Sequence, residues 1–172
     1  MVLPSGFFQP RRMTPITIDD VTYQVPDSWE DLTLSQYLDY LRKGIDAEDN
    51  IDLLSLETSI PRDILERVSL DWIGTLTSHT AFLRDPASLE PYKYAPKELA
   101  DVFNMGSQPL KNVLEARVAL NETPQGYEML AAGELIRIFT GEDMTGLKVT
   151  EAIPYASFFL TACIHLRTAS KA

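Results

Sequence analysis

The sequence predicts a mainly α fold, with an N-terminal β-hairpin packed on a bundle of six to eight short helices. Two β-branched runs, Ile16 to Ile18 and Val21 to Val25, flank Asp19-Asp20, which is typical of a tight hairpin. Beyond residue 33, apolar residues recur at helical spacing, and Ser, Thr or Pro precedes most of the runs. Because a lone hairpin is marginal in water, we expect it to lean on helices or on another chain.

Residues 1–14 precede the hairpin and predict an extended arm. They hold two prolines, a phenylalanine pair and an arginine pair, without an acidic residue. A free segment with two Phe side chains would expose apolar surface, so we expect the pair to dock either on the chain's own core or on a neighbouring subunit. The candidate partner-binding residues are Phe7, Phe8, Pro10, Arg11, Arg12 and, at the corner after the hairpin, Trp29.

The corner from Val25 to Leu41 opens the first helix. Thr33 and Gln36 have the spacing of a capping box, in which each side chain binds a free backbone N–H of the helix start. One apolar face follows at i, i+3, i+4 and i+7, made of Leu34, Tyr37, Leu38 and Leu41. We expect Trp29 to be a wedge between the hairpin and this helix, with a partner for its indole N–H.

Residues 15–84 are predicted to form the hairpin and a first helical lobe, with three helices between residues 46 and 83. Residues 85–97 contain three prolines and predict a crossing loop between lobes. Residues 98–172 are predicted to be a second helical lobe that forms one compact domain with the first. In it, a helix is predicted to start at Pro109, with Leu110, Val113, Leu114 and Val118 in register.

The last helix is apolar almost all round, which places it either at the centre of the fold or under a partner. Its longest apolar run, Ile153 to Leu166, includes a proline and is shorter than the roughly 20 residues of a membrane span. We therefore expect no membrane partner.

Arg117 and Glu134 each fall within the apolar stripe of successive predicted helices. We predict that they meet across that helix pair. The contact is interpreted either as a specificity pin at an interface or as a half-exposed salt bridge worth at most about 1 kcal/mol.

Charge and motif content argue against several classes of function. The formal net charge is −10, which disfavours binding of nucleic acid by direct sequence readout. One cysteine, Cys163, excludes an internal disulfide. The acidic order from Asp46 to Glu57 imitates a calcium loop, but Ile51 stands where that loop needs glycine, so a solvated acidic helix start is expected. No motif indicates catalysis, a metal or a cofactor, and we expect a binding protein and no enzyme.

The stretch after the hairpin resembles small tail-region and assembly proteins of tailed bacteriophages. The similarity lies in the order strand, turn, strand, then V-P-x-S-W-x-x-L-T-x-x-Q-Y, and its residues are Ile16, Ile18, Val25, Pro26, Ser28, Trp29, Leu32, Thr33, Gln36 and Tyr37. The resemblance implies a homo-oligomeric tail or connector (ring) component, with other phage structural or tail proteins as partners. It would be located in the virion or, during assembly, in the host cytoplasm. A tail assembly chaperone that is absent from the virion is the first alternative, and a small helical regulatory binding protein is the second.

Overall fold

A computed structural model describes residues 13–167 of the chain, and the described part begins with the expected hairpin. Strand β1 (Thr14–Ile18) pairs antiparallel with β2 (Val21–Val25), with Ile18 opposite Val21. The two loop residues, Asp19 and Asp20, have φ of 47° and 63°. Two successive left-handed residues form the turn that matches the twist of paired strands, and aspartate tolerates this conformation better than most residues.

The rest of the described chain is helical, which confirms the mainly α class. The α-helices are α1 (Leu34–Gly44), α2 (Asn50–Thr58), α3 (Arg62–Leu65), α4 (Leu70–Thr80), α5 (Lys97–Val102), α6 (Leu110–Glu122), α7 (Ala132–Thr140) and α8 (Val149–Cys163). Short 3₁₀ helices connect them at Trp29–Asp31, Ala81–Arg84, Pro86–Tyr92, Met105–Ser107, Glu128–Ala131 and Ile164–Leu166.

The predicted capping box starts α1. The Gln36 N–H donates to Thr33 Oγ1 at 3.2 Å, and the Thr33 N–H donates to Gln36 Oε1 at 2.9 Å. Backbone bonds then tie this start to the beginning of α8, since the Leu34 N–H donates to the Leu147 carbonyl and the Val149 N–H to the Leu32 carbonyl. The first and last helices therefore begin side by side.

Two hydrophobic clusters hold the fold together. The smaller cluster joins the hairpin to α2, α3 and α4 through Ile16, Ile18, Val25, Leu54, Ile60, Leu65 and Leu76. The larger one surrounds α8 and includes α1, α6 and α7. Helix α1 directly follows the hairpin in the chain, but it packs with the C-terminal helices in the larger cluster. The boundary between the two clusters therefore does not lie at residues 85–97.

The proline-rich crossing is more ordered than a loop. Residues Pro86–Tyr92 form a 3₁₀ helix capped by Asp85, whose side chain accepts from the Ala87 N–H at 3.1 Å. Pro86 fits the first position because that N–H needs no partner. Leu89 is 2% exposed in the larger cluster, so this crossing is part of the core.

Helix α8 lies at the centre of the larger cluster. Its fully buried Phe159 stacks on Phe139 at a ring distance of 5.3 Å and meets Phe103 and Phe158 edge to face. Together with the following turn, α8 forms an 18-residue stretch, Val149–Leu166, with a mean hydropathy of 1.2, long and apolar enough to cross a membrane by length and composition. Such a composition also suits a helix at the centre of a globular core.

Candidate functional site

A cleft lies at the start of the described chain. Residues 1–12, which include Phe7, Phe8, Pro10, Arg11 and Arg12, lie outside the described residues. Met13, the first described residue, lines a cleft of about 810 Å³. The cleft lies between β2, the outer side of α1 and the end of α2, and its lining includes Tyr23, Gln36, Asp39, Tyr40, Leu56 and Glu57. Its position makes it the first candidate for binding an extended segment.

A buried carboxylate lies in the cleft wall, where the two hydrophobic clusters meet. Glu57 at the end of α2 is 3% exposed. It accepts hydrogen bonds at 2.7 and 3.0 Å from Arg84, at 2.7 Å from Thr80 and at 3.4 Å from Tyr40. Hydrogen bonding to Glu57 raises the pKa of the Arg84 guanidinium. The donors Tyr40, Thr80 and Arg84 belong to α1, α4 and the 3₁₀ helix after α4, so Glu57 links these three elements to α2. We call this set of hydrogen bonds the Glu57 joint.

Alkaline pH should weaken this joint at Tyr40. Burial first, and then the charge of Glu57, raise the pKa of Tyr40 from 10.0 to about 12. The folded state therefore keeps a proton that the unfolded chain releases above pH 10, so this contribution to stability is complete below about pH 10 and is lost as pH rises through about 12. We expect the stability of the Tyr40→Phe variant to fall less steeply in this range than that of the unmodified chain, as measured by urea unfolding at several pH values. Equal slopes would contradict this assignment, since Cys163, whose pKa burial raises to about 11, is present in both chains.

An apolar stripe on α6 faces away from the core. Leu110, Leu114 and Val118 stand four residues apart and are 71%, 50% and 55% exposed. The stripe has the predicted helical register, but the inner face of α6 is a different one, because its fully buried side chains are Ala116 and Leu120. A contiguous exposed apolar stripe on a helix is typical of a protein-binding surface.

Trp29 is buried within its own chain. Its side chain is 4% exposed, lies edge to face with Tyr37 and Phe82, and donates its indole N–H to Ser88 Oγ at 2.8 Å. The expected partner of the indole N–H is thus Ser88, whereas the prediction of a wedge against the hairpin was wrong, because Trp29 belongs to the larger cluster. Trp29 instead joins α1 to the 3₁₀ helix at Pro86–Tyr92.

The predicted pair of Arg117 and Glu134 is also corrected. Glu134 pairs with Arg137, three residues further along α7, and accepts from its Nε at 2.9 Å. Residues three apart on one helix are neighbours on its surface, so this pair forms without any contribution from a second helix. Arg117 is exposed on α6 and forms no ion pair within residues 13–167.

The acidic cluster in and before α2 has structural roles. Asp49 caps α2 by accepting from the Ile51 and Asp52 N–H groups, and Arg62 bridges both Asp49 and Asp52. Glu57 is buried, where a solvated side chain was expected. Across residues 13–167, no group of three or more His, Cys, Asp or Glu side chains is arranged to hold a metal ion.

Comparisons of the chain with protein-family models, curated proteins and solved structures gave no match. The surfaces described above, together with the resemblance at Ile16 to Tyr37, are therefore the basis of the functional proposal.

Proposed function

We propose that this chain is a non-enzymatic bacteriophage protein of virion structure or assembly. It acts by protein–protein binding, as a tail or connector (ring) component whose arm reaches a neighbouring copy. The observation that carries the proposal is the exposed apolar stripe of α6. The resemblance around Trp29 supplies the phage context.

The stripe favours a second copy of this chain as its partner. Covering three half-exposed aliphatic side chains stabilises a contact by roughly 1–2 kcal/mol for each of them. Arg117 lies on the same helix, exposed and unpaired within the described residues. The chain has 25 acidic residues and 15 Lys and Arg residues, so the surface of another copy offers many carboxylates to this guanidinium.

The same stripe also supports the first alternative, a tail assembly chaperone. A chaperone would cover the apolar segment of a tail subunit and leave the virion, and it would be a monomer or dimer when alone. The number of copies in the purified protein separates the two functions, since a ring component assembles with itself.

The experiment compares two leucines that differ in their surroundings. We expect the unmodified chain, of 19.3 kDa, to have the mass of three or more copies by light scattering, and the Leu114→Glu variant to dissociate. The matched control is Leu70→Glu on α4, where a single leucine is 86% exposed; this variant should keep the mass of the unmodified chain. A multimer that is insensitive to Leu114→Glu would exclude the α6 stripe as the contact.

A further inference from the structure

We propose that the free edge of β2 binds the arm of a neighbouring copy as an added strand, with residues 5–9 lying in the cleft beside it. This inference rests on the proposed function and specifies which surface receives the arm. An extended peptide that adds to a sheet edge gains main-chain hydrogen bonds, while pockets beside the edge select its side chains.

The register of the hairpin shows which backbone groups of β2 are free. Since the loop has two residues, Ile18 and Val21 close it as a hydrogen-bonded pair. Hydrogen-bonded and non-hydrogen-bonded pairs alternate along antiparallel strands. Thr22 and Gln24 are therefore non-hydrogen-bonded, and their N–H and C=O groups point away from β1.

The two edges of the hairpin are unequal. On β1, the residue opposite Gln24 is Pro15, which lacks an N–H to offer to another strand. A proline on an edge strand blocks pairing with further strands. Edge β2 has no proline between Val21 and Val25, so it is the edge that can accept a strand.

The cleft lies along this accepting edge. Thr22, Tyr23 and Gln24 of β2 all line it. Apolar lining from Pro26, Leu32, Leu56 and Leu83 suits aromatic side chains. Because successive side chains of a strand point to opposite faces, one of Phe7 and Phe8 enters the cleft and the other covers the opposite face.

The segment that we propose to bind in the cleft lies before Met13 in the chain. Twelve residues can span about 40 Å when extended, well beyond the rim of their own cleft. Since Arg11 and Arg12 contribute +2 to a net charge of −10, the remaining residues carry −12. On the cleft wall, the Asp39 carboxylate pairs with Lys43, so the attraction to the arm comes from the overall acidic charge of the neighbouring copy. An arm that enters the next copy makes a head-to-tail contact, and such contacts form a ring when the rotation between successive copies closes.

Disulfide formation between two separately purified chains tests the origin of the arm. A Gln9→Cys chain is mixed with a Thr22→Cys chain and oxidised, and the linked peptides are identified by mass spectrometry. The matched control replaces Thr22→Cys with Thr17→Cys, because Thr17 faces Thr22 across the hairpin but lies on the blocked edge. Native Cys163 is fully buried, so the introduced thiols are the accessible ones.

We expect residue 9 of one chain to link to residue 22 of the other at least about tenfold more than to residue 17, since a disulfide needs Cα atoms within roughly 7 Å. Equal linking to both edges, or no link between chains, overturns the inference. A link only within one chain, seen when a single chain carries both Gln9→Cys and Thr22→Cys, overturns it as well. If the expected disulfide does not form but the protein is a multimer that Leu114→Glu dissociates, this inference fails and the proposed function stands. If the protein has the mass of a single chain, the proposed function fails as well.

Discussion

Replacing Arg84 with methionine is expected to lower the free energy of unfolding by about 3–5 kcal/mol. Arg84 donates two hydrogen bonds to Glu57, whose side chain is 0% exposed. Without the guanidinium, the Glu57 carboxylate stays buried and keeps only the neutral hydroxyl donors of Tyr40 and Thr80. An unpaired buried charge costs far more stability than an exposed ion pair contributes. Urea unfolding should show a lower midpoint with an unchanged slope.

The control for this prediction is Arg137→Met. Arg137 also pairs with a glutamate, Glu134, but both side chains are about half exposed, at 54% and 47%, so the expected loss is at most about 0.5 kcal/mol. Adding Glu57→Gln to Arg84→Met should recover part of the stability, because the unpaired charge is removed. Similar losses for the two arginine variants would contradict the structural role of Glu57.

Replacing Phe159 with alanine is expected to cost about 3–5 kcal/mol. Phe159 is fully buried and contacts the rings of Phe103, Phe139 and Phe158. Truncation removes the side chain from the centre of this aromatic group and leaves a cavity that the stacked rings cannot fill without moving. The unfolding free energy from urea titration measures the loss.

The neighbouring residue Phe158 provides the control for α8. Phe158 is partly buried and packs against the cluster from its periphery, so Phe158→Ala should cost only about 1–2 kcal/mol. If Phe158→Ala costs as much as Phe159→Ala, the inward face of α8 is not the one described.

Local signals in the sequence predicted local structure well. The β-branched runs around Asp19-Asp20 predicted the hairpin, and Thr33 with Gln36 predicted the start of α1, because a turn and a cap depend on a few adjacent residues. The packing of α1 against α8 could not be predicted in this way. It is set by the bridge between Thr33 and Lys148, which are far apart in the chain and carry no local signal of pairing.

The candidate surfaces were harder to predict than the elements. On α6, Leu110 and Leu114 repeat at the same helical spacing as a core face, but Ala116 and Leu120 are buried instead. Spacing shows that a stripe exists, whereas only packing decides whether the chain itself covers it. The Glu57 joint was missed because its donors come from three separate elements, and the nearby acidic residues suggested a solvated helix start.

The most direct test of binding between copies is the mass of the unmodified full chain in solution. Sedimentation equilibrium over a range of concentrations measures it without a reference shape. The proposed ring component predicts a defined mass of three or more copies of the 19.3 kDa chain that persists on dilution to micromolar protein. A mass of 19.3 kDa at every concentration would contradict the account.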